Sequence, residues 1–247
     1  MRSLLIAPAA EKRLAAAFES GADALIVDLE CAAPADRVVA RTIAARFLKE
    51  GRSRAGPRLM VRTNALDSGE TDADLDAVMA GAPDAIVLAG SVGAPSVQRL
   101  SAKLAVREAH FGLPEGATRI LAVVDTAEAL FHMGSYRGSS ARLIGIAWSA
   151  ERLRTEIEAE TDRDSLGGYL GPYRLARELT LLAATSAGLA AIDGFFPNIH
   201  DLQGLRAEAL AARRDGYAGK MAADAAQVAV INDVFPPRTE PVANRGG

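Results

Sequence analysis

The stretch ALIVDLE at residues 24–30 decides the fold of this chain. Its first four residues are apolar without interruption, and carboxylates follow at Asp28 and Glu30. An uninterrupted apolar run is typical of a parallel strand that is buried on both faces, whereas a half-exposed strand alternates apolar and polar residues. Amphipathic patterns predict helices on either side of it, at residues 11–20 and 35–49. The stretch therefore predicts a buried parallel strand inside a β-α repeat.

The same alternation of strand and helix runs through the whole chain. Apolar runs predict strands at residues 4–7, 24–29, 58–62, 85–89, 120–124, 142–148, 191–196 and 220–223. Amphipathic patterns predict helices at residues 11–20, 35–49, 72–80, 94–110, 127–133, 149–159, 173–187, 201–215 and 224–234. Eight alternations favour a (β/α)8 TIM barrel in a single domain, residues 1–235, with an extra C-terminal helix. The Pro- and Gly-rich residues 236–247 predict a flexible tail.

An open, doubly wound Rossmann sheet is the alternative architecture for such an alternation of strands and helices. Its usual signal is a G-x-G-x-x-G motif directly after a predicted strand. No such motif follows a predicted strand here, since the Gly90–Gly93 pair is too short to count. The sequence therefore favours the closed barrel.

Composition excludes several classes of protein. The 28 Lys and Arg residues nearly balance the 31 Asp and Glu residues, for a net charge of −3, which argues against a nucleic-acid partner. No uncharged stretch reaches the ~20 residues of a membrane helix. One cysteine excludes an internal disulfide framework. We expect a soluble, cytoplasmic protein without a signal peptide, because charges at residues 11–13 interrupt the apolar N-terminus.

Polar residues at the ends of the predicted strands mark the candidate site, because TIM-barrel enzymes place their reactive groups there. The candidates are Asp28, Glu30, Arg62, Asn64, Asp125 and Glu151. The three carboxylates of Asp28, Glu30 and Asp125 at one mouth of a barrel need a counter-charge. A hard cation such as Mg²⁺ suits carboxylate oxygens, and the planar guanidinium of Arg62 suits a substrate carboxylate. The pattern predicts chemistry through an enolate, whose negative charge these cations stabilise.

Structural roles compete with these functional ones. An aspartate at a strand end often caps the next helix, which applies to Asp28 and to Asp125. Arg62 has an alternative role as a structural ion-pair partner of Asp28 or Glu30. Two carboxylates on one face, as the period of two places Asp28 and Glu30, favour function for that pair.

At these residues the sequence resembles the HpcH/HpaI aldolase and citrate lyase family, closest to the branch of the citrate lyase beta subunit. The resemblance spans residues 2–237, and each motif is weak when taken singly. The order of the motifs carries the resemblance: RSLLIAP (2–8), SGADALIVDLE (20–30), RLMVRTN (58–64), DAIVLAG (84–90), ILAVVDTAEAL (120–130), GIAWSAERL (145–153), AAIDGFF (190–196) and GYAGKMAADAAQVAVIN (216–232).

The resemblance implies an oligomeric TIM-barrel lyase that cleaves or forms a carbon–carbon bond, with Mg²⁺ as cofactor. Its substrate would be a CoA thioester such as citryl-CoA or malyl-CoA, or a short keto or hydroxy acid. It implies that Arg62 binds the substrate carboxylate and that Asp125 holds the metal. Asp28 and Glu30 line the site, and with Arg62 they are the expected catalytic residues. Asn64 and Asp125 are further candidates for contact with the substrate.

At least four positions depart from the family pattern, and Asp224 and Ala225 stand where the pattern has a His-Pro pair. Cys31 replaces the last acid of the DLED motif, and Asp125 is shorter by one methylene than the family's metal-binding glutamate. Gly90 stands where a lysine is expected, and Arg152 aligns with the second metal ligand. One outcome is that Arg152 replaces the cation and pairs with Asp125. The other is that Glu151, adjacent to it, swings in and keeps a shifted metal.

These departures leave three functional hypotheses. The first is the lyase. The second is a degenerate family member that binds a ligand or partner without standard lyase activity, and the third is a thioester hydrolase. We also expect a homo-oligomer, because the final helix at residues 227–234 carries apolar residues for an exposed face.

Overall fold

The computed structural model describes residues 1–237, which form a closed barrel of eight parallel strands. The strands are β1 (Ser3–Pro8), β2 (Ala24–Asp28), β3 (Arg58–Arg62), β4 (Ala85–Leu88), β5 (Arg119–Val124), β6 (Leu143–Trp148), β7 (Ala190–Asp193) and β8 (Gly219–Ala222). Each strand pairs with its neighbours in chain order, and β8 closes the barrel by pairing with β1. This closure confirms the predicted TIM barrel and excludes the open Rossmann sheet.

Helices follow the strands on the outside of the barrel. They are α1 (Glu11–Phe18), α2 (Arg37–Gly51), α3 (Thr71–Val78), α4 (Gly93–Phe111), α5 (Ala127–His132), α6 (Ala150–Glu156), α7 (Gly171–Ala187), α8 (Leu202–Asp215) and α9 (Ala225–Val234). The predicted helices and strands all exist, with boundaries that differ by a few residues. The largest differences are at β7, where the strand ends at Asp193 rather than at residue 196, and at α6, which ends at Glu156 rather than at residue 159.

Two apolar layers account for the uninterrupted apolar strands. A small cluster fills the barrel itself and includes Leu4, Ile26, Met60 and Ile192. A larger cluster lies between the sheet and the helices and draws on the other face of each strand. Because both faces are buried, the strands carry no polar alternation that would separate an inside from an outside.

Gly219, in the strand that closes the barrel, is a position where a larger side chain should strongly destabilise the fold. A Cβ atom added at Gly219 would lie 2.4 Å from the carbonyl oxygen of Arg2, which belongs to the chain leading into β1. We therefore expect Gly219→Ala to lower the free energy of unfolding by about 3 kcal/mol, the upper end of the range for overpacking. Urea denaturation measures this. Gly171→Ala is the matched control, since a Cβ there meets nothing within 4 Å; an equal loss in both variants would contradict the prediction.

The final helix corrects one expectation from the sequence. The apolar residues Val228, Ile231 and Val234 of α9 are buried within this chain, against α8 and β1, and do not form an exposed face. The argument for a homo-oligomer from residues 227–234 is therefore wrong. The predicted flexible tail falls mainly on residues 238–247, which lie outside the described residues. Among residues 1–237, no helix has the length and apolar character needed to cross a bilayer.

Candidate active site

Three charged side chains meet at the carboxyl end of the barrel because of strand periodicity. Asp28 and Arg62 end β2 and β3, and Asp125 directly follows β5. The residue two positions before each of them belongs to the cluster inside the barrel. Since side chains two residues apart point to the same face of a strand, all three point toward the barrel axis. The sequence analysis thus placed these residues correctly at one mouth.

Asp28 and Arg62 form a bidentate ion pair across neighbouring strands. They are register partners between β2 and β3. Arg62 Nε donates to Asp28 Oδ1 at 2.8 Å, and Arg62 Nη2 donates to Asp28 Oδ2 at 2.7 Å. The Asp28 carboxylate is buried, whereas the Arg62 side chain is 25% exposed. These two parallel hydrogen bonds fix the orientation of the guanidinium. Its Nη1 atom faces Glu30 and lies 3.4 Å from Glu30 Oε2.

Glu30 joins this pair to a second arginine. Arg152, on α6, donates from Nη1 to Glu30 Oε1 at 3.0 Å and lies 3.9 Å from Asp125 Oδ2. Glu30 is therefore held between two guanidinium groups. Its pairing with Arg62 is one of the alternatives that the sequence left open, whereas its pairing with Arg152 was not predicted. The expected approach of Arg152 to Asp125 is present as a longer contact.

The environment of Asp125 differs from that of the other two carboxylates. Its Oδ1 accepts a hydrogen bond of 3.0 Å from the backbone N–H of Gly90. Burial raises the pKa of Asp125 to about 6; the Arg152 guanidinium opposes this rise, and the Glu30 carboxylate adds to it. A carboxyl group with such a pKa is partly protonated near neutral pH, which is a mark of functional sites.

A cavity of about 520 Å³ opens beside this network. Arg62 forms part of its wall, together with Ser149 and Phe195 from the segments after β6 and β7. Cavities of this size at the carboxyl ends of barrel strands are typical substrate sites. Arg154 and Asp162 also line it, and the sequence analysis missed both. The spacing of Glu151 and Arg154, three residues apart on one helix, is the signal that could have found Arg154.

Two predicted site residues lie apart from the charged network. The Asn64 side chain is buried and donates to Asp74 Oδ2 at 2.8 Å, so its amide is used within the fold. Glu151 lines the cavity, and within residues 1–237 its carboxylate has no hydrogen-bond or ion-pair partner. The contact of Asn64 with substrate and the metal-ligand roles of Asp125 and Glu151 stay predictions.

A closed parallel barrel with arginines and carboxylates around a cavity at this end defines a TIM-barrel enzyme site for an anionic substrate. The model of the HpcH/HpaI aldolase/citrate lyase family matches residues 2–225. The citrate lyase subunit beta of Leuconostoc mesenteroides subsp. cremoris is 31% identical over 91% of this chain and 72% of that protein. A (3S)-malyl-CoA thioesterase of Cereibacter sphaeroides (strain KD131 / KCTC 12085) is 33% identical over 96% of this chain and 77% of that protein.

Among solved structures, the citrate lyase beta subunit of M. tuberculosis, in complex with oxaloacetate and magnesium, superposes with a TM-score of 0.80. It is 27% identical and the match covers 95% of this chain and 96% of that one. This chain belongs to the HpcH/HpaI aldolase/citrate lyase family, as the match over residues 2–225 shows. The family is enzymatic, and the resemblance stated from the sequence is confirmed.

The residues at this mouth do not fit the magnesium ion of the related structure. Among residues 1–237, no group of three or more His, Cys, Asp or Glu side chains is arranged to hold a metal ion. The carboxylates of Asp28 and Glu30 are already paired with guanidinium groups. A guanidinium cannot ligate a cation, and Arg152 stands at the carboxylate oxygens that an ion would need.

Proposed function

We propose that this protein is a carbon–carbon lyase that cleaves or condenses a short hydroxy or keto acid, carried as a CoA thioester of the malyl-CoA or citryl-CoA type. One observation carries the proposal: the Arg62 guanidinium is oriented by the buried Asp28 and forms part of the wall of the cavity at the barrel mouth. A guanidinium group whose orientation is fixed in this way can bind a carboxylate with defined geometry. The family relation and the relatives' names support this substrate class.

The reaction we propose is a retro-aldol cleavage. A carboxylate at the mouth takes the proton of the substrate hydroxyl, whose oxygen then forms a carbonyl. The carbon–carbon bond breaks, and its electron pair forms the enolate of the thioester, which a proton converts to the acyl-CoA product. Glu30 is the carboxylate we assign to the proton transfer, because its side chain is 25% exposed whereas those of Asp28 and Asp125 are 5% and 6% exposed. Arg62 holds the carboxylate of the departing keto acid.

A thioester hydrolase is the second candidate, and the 33% identity to a (3S)-malyl-CoA thioesterase favours it. Hydrolysis through Cys31 as the nucleophile is not favoured. Burial, followed by the charge of Asp28, raises the pKa of the Cys31 thiol to about 11, so that this thiol is protonated near neutral pH and a poor nucleophile.

Product analysis separates these candidates. We expect the protein to convert malyl-CoA or citryl-CoA into acetyl-CoA and a keto acid, glyoxylate or oxaloacetate, as chromatography of the thioesters detects. Free CoA with intact malate or citrate would instead identify the hydrolase. Binding of oxaloacetate without turnover of either thioester would identify a member of the family that binds without catalysis.

Two further parts of the proposal concern the protein's state in the cell. We infer a homo-oligomer located in the cytoplasm. Support for self-association comes from α7, where Leu175 and Leu182 are 52% and 64% exposed. Support for the location is the proposed CoA thioester substrate. Light scattering on the purified protein measures the oligomeric state.

A further inference from the structure

We propose that Arg152 supplies the positive charge that magnesium supplies in the related structure, so that this chain binds its acid ligand without a divalent cation. The inference deepens the proposed function and rests on its placing of the ligand at the barrel mouth. It concerns how the site is charged, which can be measured separately from turnover.

The carboxylate oxygens at the mouth are already engaged. Both oxygens of Asp28 accept from Arg62, and the two oxygens of Glu30 face Arg152 and Arg62, at 3.0 and 3.4 Å. One oxygen of Asp125 accepts from a backbone N–H, and the other lies 3.9 Å from Arg152. An ion would have to displace a guanidinium to obtain more than one ligand from the carboxylates of Asp28, Glu30 and Asp125; Mg²⁺ in proteins is usually held by one or two carboxylates.

The Arg152 guanidinium packs against a glycine. A Cβ atom added at Gly90 would lie 3.6 to 3.7 Å from three atoms of the Arg152 guanidinium group, so the arginine packs directly against the glycine. Gly90 also has φ of +61°, a conformation that favours glycine. The family pattern predicted a lysine here and an acid at position 152. In this chain the cationic side chain comes from α6 instead, and Gly90 leaves room for it.

The charges of the cluster nearly cancel without a metal ion. Three carboxylates face two guanidinium groups, which leaves a formal charge of −1 when Asp125 is ionised. Adding a doubly charged ion beside Arg152 would bring two cations together in a partly buried site, where charges interact strongly. The arginine pair therefore neutralises most of the charge that a metal would otherwise balance.

Arg152 also retains hydrogen-bond donors for a ligand. Only its Nη1 is engaged among residues 1–237, and the side chain is 43% exposed. Its Nη2 and Nε atoms carry three further N–H groups. These donors can bind an oxygen of the keto acid or of the enolate, which is the interaction that a metal ion makes as a Lewis acid.

Binding of Mn²⁺, a spectroscopic substitute for Mg²⁺, tests this inference directly. We expect the wild-type protein to bind no Mn²⁺ by electron paramagnetic resonance and to bind oxaloacetate by calorimetry with a dissociation constant that changes less than twofold on adding EDTA. Arg152→Asp should bind one Mn²⁺ per chain, and its affinity for oxaloacetate should then depend on the metal. Arg152→Lys keeps the charge and should bind no Mn²⁺, which makes it the matched control.

Stoichiometric binding of Mn²⁺ by the wild type, or loss of oxaloacetate binding in EDTA, would overturn the inference. Absence of Mn²⁺ binding in a folded Arg152→Asp variant would overturn it as well, because Arg152 would then not be what excludes the ion. Circular dichroism checks that the variants fold. Failure of the lyase proposal gives a different result, namely no thioester turnover while Mn²⁺ binding still follows the charge at position 152.

Discussion

Arg62→Leu is expected to weaken oxaloacetate binding by at least about 30-fold, which corresponds to the loss of roughly 2 kcal/mol or more for one partner of a charged contact. The physical reason is that Arg62 is the oriented guanidinium in the wall of the cavity. The same change leaves the buried Asp28 carboxylate without its ion-pair partner, so we also expect the free energy of unfolding to fall by about 3 kcal/mol. Calorimetry and urea denaturation measure the two effects.

Two variants separate binding from folding in this experiment. Arg62→Lys keeps the charge but loses the planar fork, so it should retain most of the stability and bind oxaloacetate less tightly than the wild type. Arg99→Leu removes an exposed arginine that pairs with Asp67 at 2.8 Å, and should leave binding unchanged. If folded Arg62→Leu binds oxaloacetate as tightly as the wild type, Arg62 does not hold the substrate carboxylate.

Lys220→Met is expected to cause the largest loss of stability, about 3–5 kcal/mol. The Lys220 ammonium is fully buried and donates to Asp193 Oδ2 at 2.8 Å, to the Gly194 carbonyl at 2.7 Å and to Glu208 Oε1 at 2.8 Å. Its removal leaves the buried Asp193 carboxylate with Arg177 as its only charged partner among the described residues. Urea denaturation at neutral pH measures the loss.

The pH dependence of this loss follows from Asp193. Burial alone would raise the pKa of Asp193, but the charges of Lys220 and Arg177 hold it below its usual value. A carboxyl group with a lowered pKa stabilises the fold above its unfolded pKa, near 3.9, and this contribution is lost as the pH falls. Without Lys220 the pKa of Asp193 is lowered less. The difference in free energy of unfolding between the wild type and Lys220→Met should therefore become smaller below about pH 4.

A half-buried surface lysine provides the control for the fully buried one. Lys103 pairs with Asp72 at 2.7 Å on the surface, and Lys103→Met should change stability by no more than about 1 kcal/mol. Two results would contradict this account of the buried ion pair. One is a similar loss of unfolding free energy in Lys103→Met and Lys220→Met. The other is a difference in unfolding free energy between Lys220→Met and the wild type that does not change with pH.

The fold could be predicted because parallel barrel strands are buried on both faces. Runs such as residues 24–27 and 120–124 stand out from the amphipathic helices around them. The buried ion pairs of Asp193 with Lys220 and Arg177 could not be predicted from such a pattern. Asp193 and Lys220 each end or interrupt a short apolar run, and the register between β7 and β8 that makes them partners cannot be read from the sequence.

Strand periodicity predicted those site residues that lie at the ends of strands. Asp28 and Arg62 follow from the common direction of strand ends, and their pairing follows from the register of β2 and β3. The pairing of Arg152 with Glu30 could not be predicted, because α6 has to be placed on the barrel before its side chains can reach Glu30. Asn64 was assigned to the substrate by its position alone, and the carboxylate of Asp74 that it binds lies ten residues further along, on α3.

A crystal structure of the protein grown with oxaloacetate and Mg²⁺ tests the central claim most directly. The account predicts a ligand carboxylate within about 3 Å of the Arg62 guanidinium nitrogens. It predicts that Arg152 still contacts Glu30. Oxaloacetate bound away from Arg62, or a metal ion between Glu30 and Asp125 with Arg152 turned out of the site, would contradict it.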